Sequence, residues 1–197
     1  MPPFRQTERY RRSQGYRLVA GIDEVGRGAW AGPLVAAALI LKPYARLPNL
    51  KDSKQLTPRQ RRMFAIKIAH GALVYRWGIV QAREIDDIGI AKANELAFRR
   101  ALEALRPRPH YVLADFFSLN NFRSPVEGIF GGDEKVRVIA AASVLAKVFR
   151  DDLMALADRH YPGYDFHKHK GYGTAAHRQA IKKLGPSAWH RLSFDVY

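Results

Sequence analysis

The stretch Ala20-Gly21-Ile22-Asp23-Glu24-Val25-Gly26-Arg27-Gly28-Ala29-Trp30-Ala31-Gly32-Pro33 decides how the rest of the chain is read. The apolar run from Leu18 to Ile22 predicts a buried strand, and it stops on two adjacent carboxylates, Asp23 and Glu24. Unpaired charge beside a core is costly, so acids at the end of such a strand imply a bound cation. Gly26 and Gly28 free the backbone on both sides of Arg27, which suits a phosphate. After Gly32-Pro33 a second apolar run, Leu34 to Leu41, is expected to pair antiparallel with the first. A dinucleotide-binding turn would need a helix after the glycines. A strand follows instead, and Asp23-Glu24 would repel a pyrophosphate.

Asp115 closes a later apolar run, His110 to Ala114, by the same design. If the two runs are parallel neighbours in an open α/β sheet, Asp23 and Asp115 meet in the crevice at their carboxyl ends. Glu24 either points to the other face or lies in the turn, and Asp133, in Gly131-Gly132-Asp133-Glu134, can complete a cluster of four acids. Hard oxygen ligands favour Mg²⁺ or Mn²⁺ over zinc, and a chain without cysteine has no thiolate to offer. A pair of such ions about 4 Å apart can activate water on one side of a phosphodiester and stabilise the leaving oxygen on the other.

The charge agrees with an anionic substrate. The net charge is +15, and residues 1–17, 42–67 and 159–191 carry +4, +7 and +6, which leaves the rest about −2. Basic flanks around an acidic centre suit a nucleic-acid enzyme that recruits divalent cations. Charge alone fits a non-catalytic RNA binder equally well. A hydrophobic fraction of 47% excludes wholesale disorder, and no apolar run reaches the roughly 20 residues that span a bilayer. Without cysteine or an apolar secretory core, the expected location is cytoplasmic.

The remaining pattern alternates strands and helices. Residues 1–16 read as a basic arm, short and either mobile or helical, ahead of one domain over 17–197. Thr57-Pro58 announces a helix to about Ala69, a strand follows over Ala72 to Val80, and the spacing over Ile85 to Leu105 predicts one helix of about four turns. Val126 to Phe130 is an expected edge strand, and Val136 to His160 a long helix with the small stripe Ala140-Ala141-Ala142-Ser143. His167-Lys168-His169-Lys170-Gly171-Tyr172-Gly173 reads as a basic loop in which Tyr172 can stack on a base or sugar. A helix capped by Thr174 ends at Gly185-Pro186.

These blocks resemble ribonuclease HII. The likeness rests on Ile22-Asp23-Glu24-Val25-Gly26-Arg27-Gly28, Ala31-Gly32-Pro33, Asp52-Ser53-Lys54, Ala140 to Ser143 with Ala146-Lys147, Arg150-Asp151, the 167–172 block and His190-Arg191-Leu192-Ser193-Phe194, in the family's order from residue 17 to 194. It implies a ribonuclease H-like α/β fold: a mixed sheet with helices on both faces and a C-terminal helical region. The implied activity is endonucleolytic cleavage of RNA in RNA/DNA hybrids and nicking 5′ to single ribonucleotides in duplex DNA, leaving 3′-hydroxyl and 5′-phosphate ends. By position, Asp23, Glu24, Asp115 and Asp133 match the metal-binding acids. Gly26, Arg27 and Gly28 match the turn that meets the ribose 2′-hydroxyl, and Tyr172 matches the tyrosine that stacks at the RNA-to-DNA junction. Lys54, Ser143, Lys147, His169, Lys170 and Arg191 fall among the implied substrate-binding residues. Two Mg²⁺ or Mn²⁺ ions, a nucleic-acid partner and a monomer are expected, without a sliding-clamp tail after Tyr197. Three positions depart from the family pattern: Ala29-Trp30, Phe116 in place of a glycine, and Gly132 before Asp133 without the usual lysine. Ribonuclease HIII shares several blocks but carries a long N-terminal binding domain, so the roughly 16 residues before the first expected strand favour HII.

Overall fold

The computed structural model describes residues 6–50, 53–117 and 119–195. Its centre is a five-stranded sheet in the order β3-β2-β1-β4-β5. Strand β1 (Val19–Val25) pairs antiparallel with β2 (Leu34–Leu41), which pairs antiparallel with β3 (Ala72–Val80). On its other side β1 runs parallel to β4 (Tyr111–Asp115), and β4 runs parallel to β5 (Val126–Ile129). Ile22 is opposite Ala114, so Asp23 and Asp115 lie one step further along neighbouring parallel strands, at the same end of the sheet.

Every residue of β2 is buried, as expected of a strand covered on both faces. One face packs on α2 (Pro58–Gly71) and the 24-residue α6 (Arg137–His160) through Val19, Leu39, Leu113, Val138 and Ala141. The other packs on α4 (Ile90–Glu103) through Ile22, Ala38, Ala97 and Phe98. The small stripe of α6 has a clear cause. A Cβ at Gly21 would run into the backbone carbonyl of Val138, so β1 and α6 touch through nearly bare backbone. Close approach brings Ser143, five residues further along α6, up to the acidic strand end.

The segment expected as one helix over Ile85 to Leu105 is two. Helix α3 (Ala82–Ile88) stops at Gly89, whose φ of 76° is outside the right-handed region, and α4 starts again at Ile90. The apolar period continues across the break, so spacing alone does not reveal it. A capping box between Gln81 and Glu84 starts α3, and another between Thr57 and Gln60 starts α2. The basic stretch expected as a loop contains a helical turn, α7 (Phe166–His169), held between two left-handed residues, Asp165 and Lys170. Asp133 has a one-turn helix of its own, α5 (Gly132–Lys135), and α8 (Ala175–Leu184) completes the C-terminal helical region.

The N-terminal arm forms α1 (Gln6–Ser13) and is docked. Arg11 pairs with Glu127 of β5 at 2.8 Å, and buried Glu8 faces Arg12 and Arg137. Among the described residues no helix is long and apolar enough to cross a membrane.

Candidate active site

Strand alternation sends Asp23 toward α6 and Glu24 toward α4, so the two acids approach the strand end from opposite faces of the sheet. Both open into one cleft of about 410 Å³, lined also by Gly26, Arg27, Gly28, Lys54, Asp115, Asp133, Ser143, Lys147 and Tyr172. Eleven of the fourteen site residues expected from the sequence therefore share one cavity.

The backbone fixes two of these carboxylates. Asp23 Oδ1 accepts the Glu24 N–H at 2.8 Å, and Asp115 Oδ1 accepts the Gly132 N–H at 2.7 Å. The second bond ties α5 to the end of β4 and brings Asp133 beside Asp115. A Cβ at position 132 would meet the tip of the Ile139 side chain, which is flexible enough to give way, so packing does not restrict this position to glycine.

Crowded acids hold their protons. Burial, then the charge of Glu24, raises Asp23 well above the usual carboxylate range, while the Ser143 hydroxyl opposes the shift. Glu24 is pushed up to about 7, first by burial and then by Asp115. Arg27 and the Asn94 amide act against that shift. Asp115 is also raised, by burial first, with Asp133 adding to it and Lys54 opposing. A cation is already in place at one corner: Lys54 Nζ lies 3.1 Å from Asp133 Oδ2. Hard oxygen donors that repel one another and draw in an ammonium fit a divalent cation such as Mg²⁺ or Mn²⁺.

The glycine turn is braced from behind by two buried arginines. Arg150 donates to the carbonyls of Pro33 (2.9 Å), Ala31 (3.0 Å) and Lys170 (2.8 Å). Arg191 donates to the carbonyls of Gly32 (2.8 and 3.0 Å) and Arg27 (2.9 Å). Gly26, at φ 90°, packs on the Arg150 guanidinium with no room for a Cβ. Tyr172 lies over the same support, its ring centre 5.4 Å from Arg150 Cζ and 5.9 Å from Lys147 Nζ.

Three expected substrate-binding residues are placed elsewhere. Arg191 is fully buried and its guanidinium is spent on main-chain carbonyls, so it supports the turn and does not face the cleft. His169 Nε2 is 2.7 Å from the Tyr164 carbonyl and its ring stacks on His177, 4.2 Å between centroids. Lys170 Nζ donates to the His167 carbonyl. It lines an adjoining cleft of about 400 Å³ that shares Arg61 and Lys147 with the first. The i, i+2 pair His167 and His169 is not directed at the acids, because His167 Nδ1 meets Asp158 at 2.6 Å. Conversely, Ser53, Arg61 and Asn94 belong to the site and were not expected. Ser53 bonds Ser143 at 2.8 Å, a contact 90 positions apart in sequence that no local pattern could show.

A mixed sheet with four acids gathered at its strand ends under a basic rim defines a nuclease of the ribonuclease H-like class. The solved ribonuclease H2 of Pyrococcus horikoshii OT3 superposes with a TM-score of 0.77 at 26% identity, covering 91% of this chain and 94% of that one. A family model described as Ribonuclease HII matches residues 20–196, so the chain belongs to the ribonuclease HII family and is a type HII ribonuclease H endonuclease acting on RNA/DNA. It is 47% identical to the Ribonuclease HII of Syntrophotalea carbinolica over 181 residues, 92% of this chain and 87% of its relative. Bst-RNase HIII, solved in complex with Mn²⁺, shares the fold at a TM-score of 0.69 and 20% identity, over 90% of this chain and 67% of that one.

Proposed function

We propose that this endonuclease nicks a duplex on the 5′ side of a ribonucleotide, including a single ribonucleotide embedded in DNA, and leaves 3′-hydroxyl and 5′-phosphate ends. The observation that carries the proposal is the convergence of Asp23, Glu24, Asp115 and Asp133 with the Gly26-Arg27-Gly28 turn and Tyr172 in one cleft. In this reading the four acids hold two Mg²⁺ or Mn²⁺ ions; when bound, the ions supply an activated water and neutralise the charge developing on the leaving oxygen.

The chain's own residues do the selecting. The turn offers main-chain polar groups to the 2′-hydroxyl, the one feature that separates RNA from DNA, and glycines let them come close. Arg150 and Arg191 keep the turn rigid, so little ordering is required when substrate arrives. Tyr172, backed by two cations, stacks on the sugar or base that follows the ribonucleotide. Lys54, Arg61 and Lys147 place positive charge along the phosphate path.

A labelled DNA duplex carrying one ribonucleotide, incubated with Mg²⁺ or Mn²⁺, tests the proposal. The expected product is a single nick 5′ to the ribonucleotide, and Asp23→Asn should abolish it while the duplex is still bound. Binding without cleavage by the folded native protein would replace this reading with that of a nucleic-acid binder. Cleavage of all-DNA controls at an equal rate would remove the 2′-hydroxyl from the argument.

A further inference from the structure

Immediately after Asp115 the chain does something expensive. Phe116 adopts φ 51°, in the left-handed region that bulky side chains avoid, and its ring is 69% exposed. Its neighbour in space, Phe130, is 74% exposed, and the two rings meet edge to face with centroids 5.6 Å apart. Phe117, by contrast, turns inward onto Phe98. Strain and exposed aromatic surface together need a reason outside the fold.

Neither ring lines the active cleft, but the pair is tied to it through the backbone. Phe116 N–H donates to the Ile129 carbonyl, and Asp115 accepts from Gly132, so both phenylalanines are anchored to backbone that also fixes the acids. Lys135 Nζ lies 5.4 Å from the Phe130 ring centre and donates to the Phe130 carbonyl. An exposed aromatic beside a cation suits a nucleic-acid strand. The sheet order sets the geometry: Tyr172 is beside the β1–β2 turn, the acids end β1 and β4, and Phe130 follows edge strand β5. The acids are thus flanked by an aromatic on each side.

We infer that Phe116 and Phe130 form a second sugar-binding contact, on the flank opposite Tyr172, that selects deoxyribose over ribose. The inference rests on the proposed reading of the cleft as a ribonucleotide-nicking site. A phenyl ring packs against the apolar edge of a deoxyribose. It offers no hydrogen-bond partner to a 2′-hydroxyl, and covering that hydroxyl unpaired is unfavourable. DNA on this flank is therefore favoured, and the enzyme prefers an isolated ribonucleotide to a continuous RNA strand.

Phe116→Gly and Phe130→Ser test this without threatening the core, because glycine is comfortable at φ 51° and both rings are exposed. The ratio of kcat/KM for a single-ribonucleotide duplex to that for a full RNA/DNA hybrid should fall about tenfold in the double variant, mainly through KM. A ratio unchanged within about twofold overturns the inference, as does an equal loss on both substrates. A change in sedimentation in place of the ratio would mark the pair as a self-association surface and also overturn it. If the native enzyme cuts neither substrate, the ribonucleotide-nicking reading fails by itself. The contact is then read by fluorescence anisotropy without divalent metal. All-DNA duplex should lose affinity in the double variant more than hybrid, and equal losses would refute it.

Discussion

Arg191 Nη1 donates to the carbonyl of Arg27 at 2.9 Å, across 164 positions of sequence. The bond holds the Gly26-Arg27-Gly28 turn by its middle residue while the other guanidinium nitrogens grip Gly32. A lysine cannot make this fork, and burial at this site works against its charge. Arg191→Lys should cost about 2–4 kcal/mol of stability, since two or more charged hydrogen bonds are lost inside. Thermal melting measures that cost. If the turn reads the ribose, KM for a ribonucleotide-bearing duplex should rise more than kcat falls; an unchanged KM would separate Arg191 from substrate recognition.

If these acids hold the metal as proposed, their raised pKa values make its binding pH-dependent. Glu24 titrates near 7 in the fold against 4.5 in the unfolded chain, so the metal-free fold keeps a proton that the unfolded chain has released. That contribution is complete below pH 4.5 and is lost as pH rises through 7. Divalent cations bind the ionised form and reverse the loss. Saturating Mn²⁺ at about a hundred times its Kd should stabilise the enzyme by about 2.7 kcal/mol at pH 8. For a chain of this size that is a melting shift of roughly 5–10 °C. At pH 5.5 the shift should shrink severalfold. Equal shifts at the two pH values would mean that the acids do not gate the metal.

Much of this was legible in the sequence, because strand ends and glycine turns are local signals. Asp23 and Asp115 were each the stop of an apolar run, and parallel pairing of β1 with β4 brings them together. Asp133 was harder, since its position depends on the Gly132–Asp115 hydrogen bond. Arg191 and His169 were misplaced because charge and ring type do not say which way a side chain points; both were spent on main-chain carbonyls. Asn94 left no trace at all. It is one polar residue on an otherwise apolar helix face, and only the packing of α4 on the sheet puts it near Glu24.

Lys54 stands in for a cation. Its side chain is 77% exposed, yet its ammonium reaches Asp133, which is nearly buried. If Asp133 holds a divalent ion as proposed, that ion competes for the same corner and frees Lys54 for phosphate. Lys54→Ala should therefore tighten Mn²⁺ binding by about two- to fivefold, the scale of a mostly exposed ion pair. The same change should lower kcat/KM about tenfold, as expected for one lost charged contact to phosphate. Calorimetric titration of metal and steady-state cleavage check the two arms. Weaker metal binding would show that Lys54 organises the acids instead of competing for them.

The tautomers of the histidines behind Tyr172 are set by their partners. His177 Nδ1 faces the Tyr172 carbonyl at 3.0 Å and must donate, so its Nε2 accepts from His190 Nε2, 3.1 Å away. His190 Nδ1 then accepts the Ser187 N–H at 2.8 Å. A proton added to His177 would set two N–H groups against each other. Burial accordingly lowers His177 from 6.5 to about 4, with the Tyr172 carbonyl opposing. Because the folded value is the lower one, the stability from this group is complete above pH 6.5 and is lost as pH falls toward 4. Glu24 gains stability as pH falls through the same window, so the His177 contribution is read as a difference in melting temperature from a variant without it. His177→Asn preserves a donor for Tyr172 but does not titrate, so its stability should fall with about one proton less of pH dependence. Parallel curves for the two proteins would show that His177 is not the group that loosens the Tyr172 loop in acid.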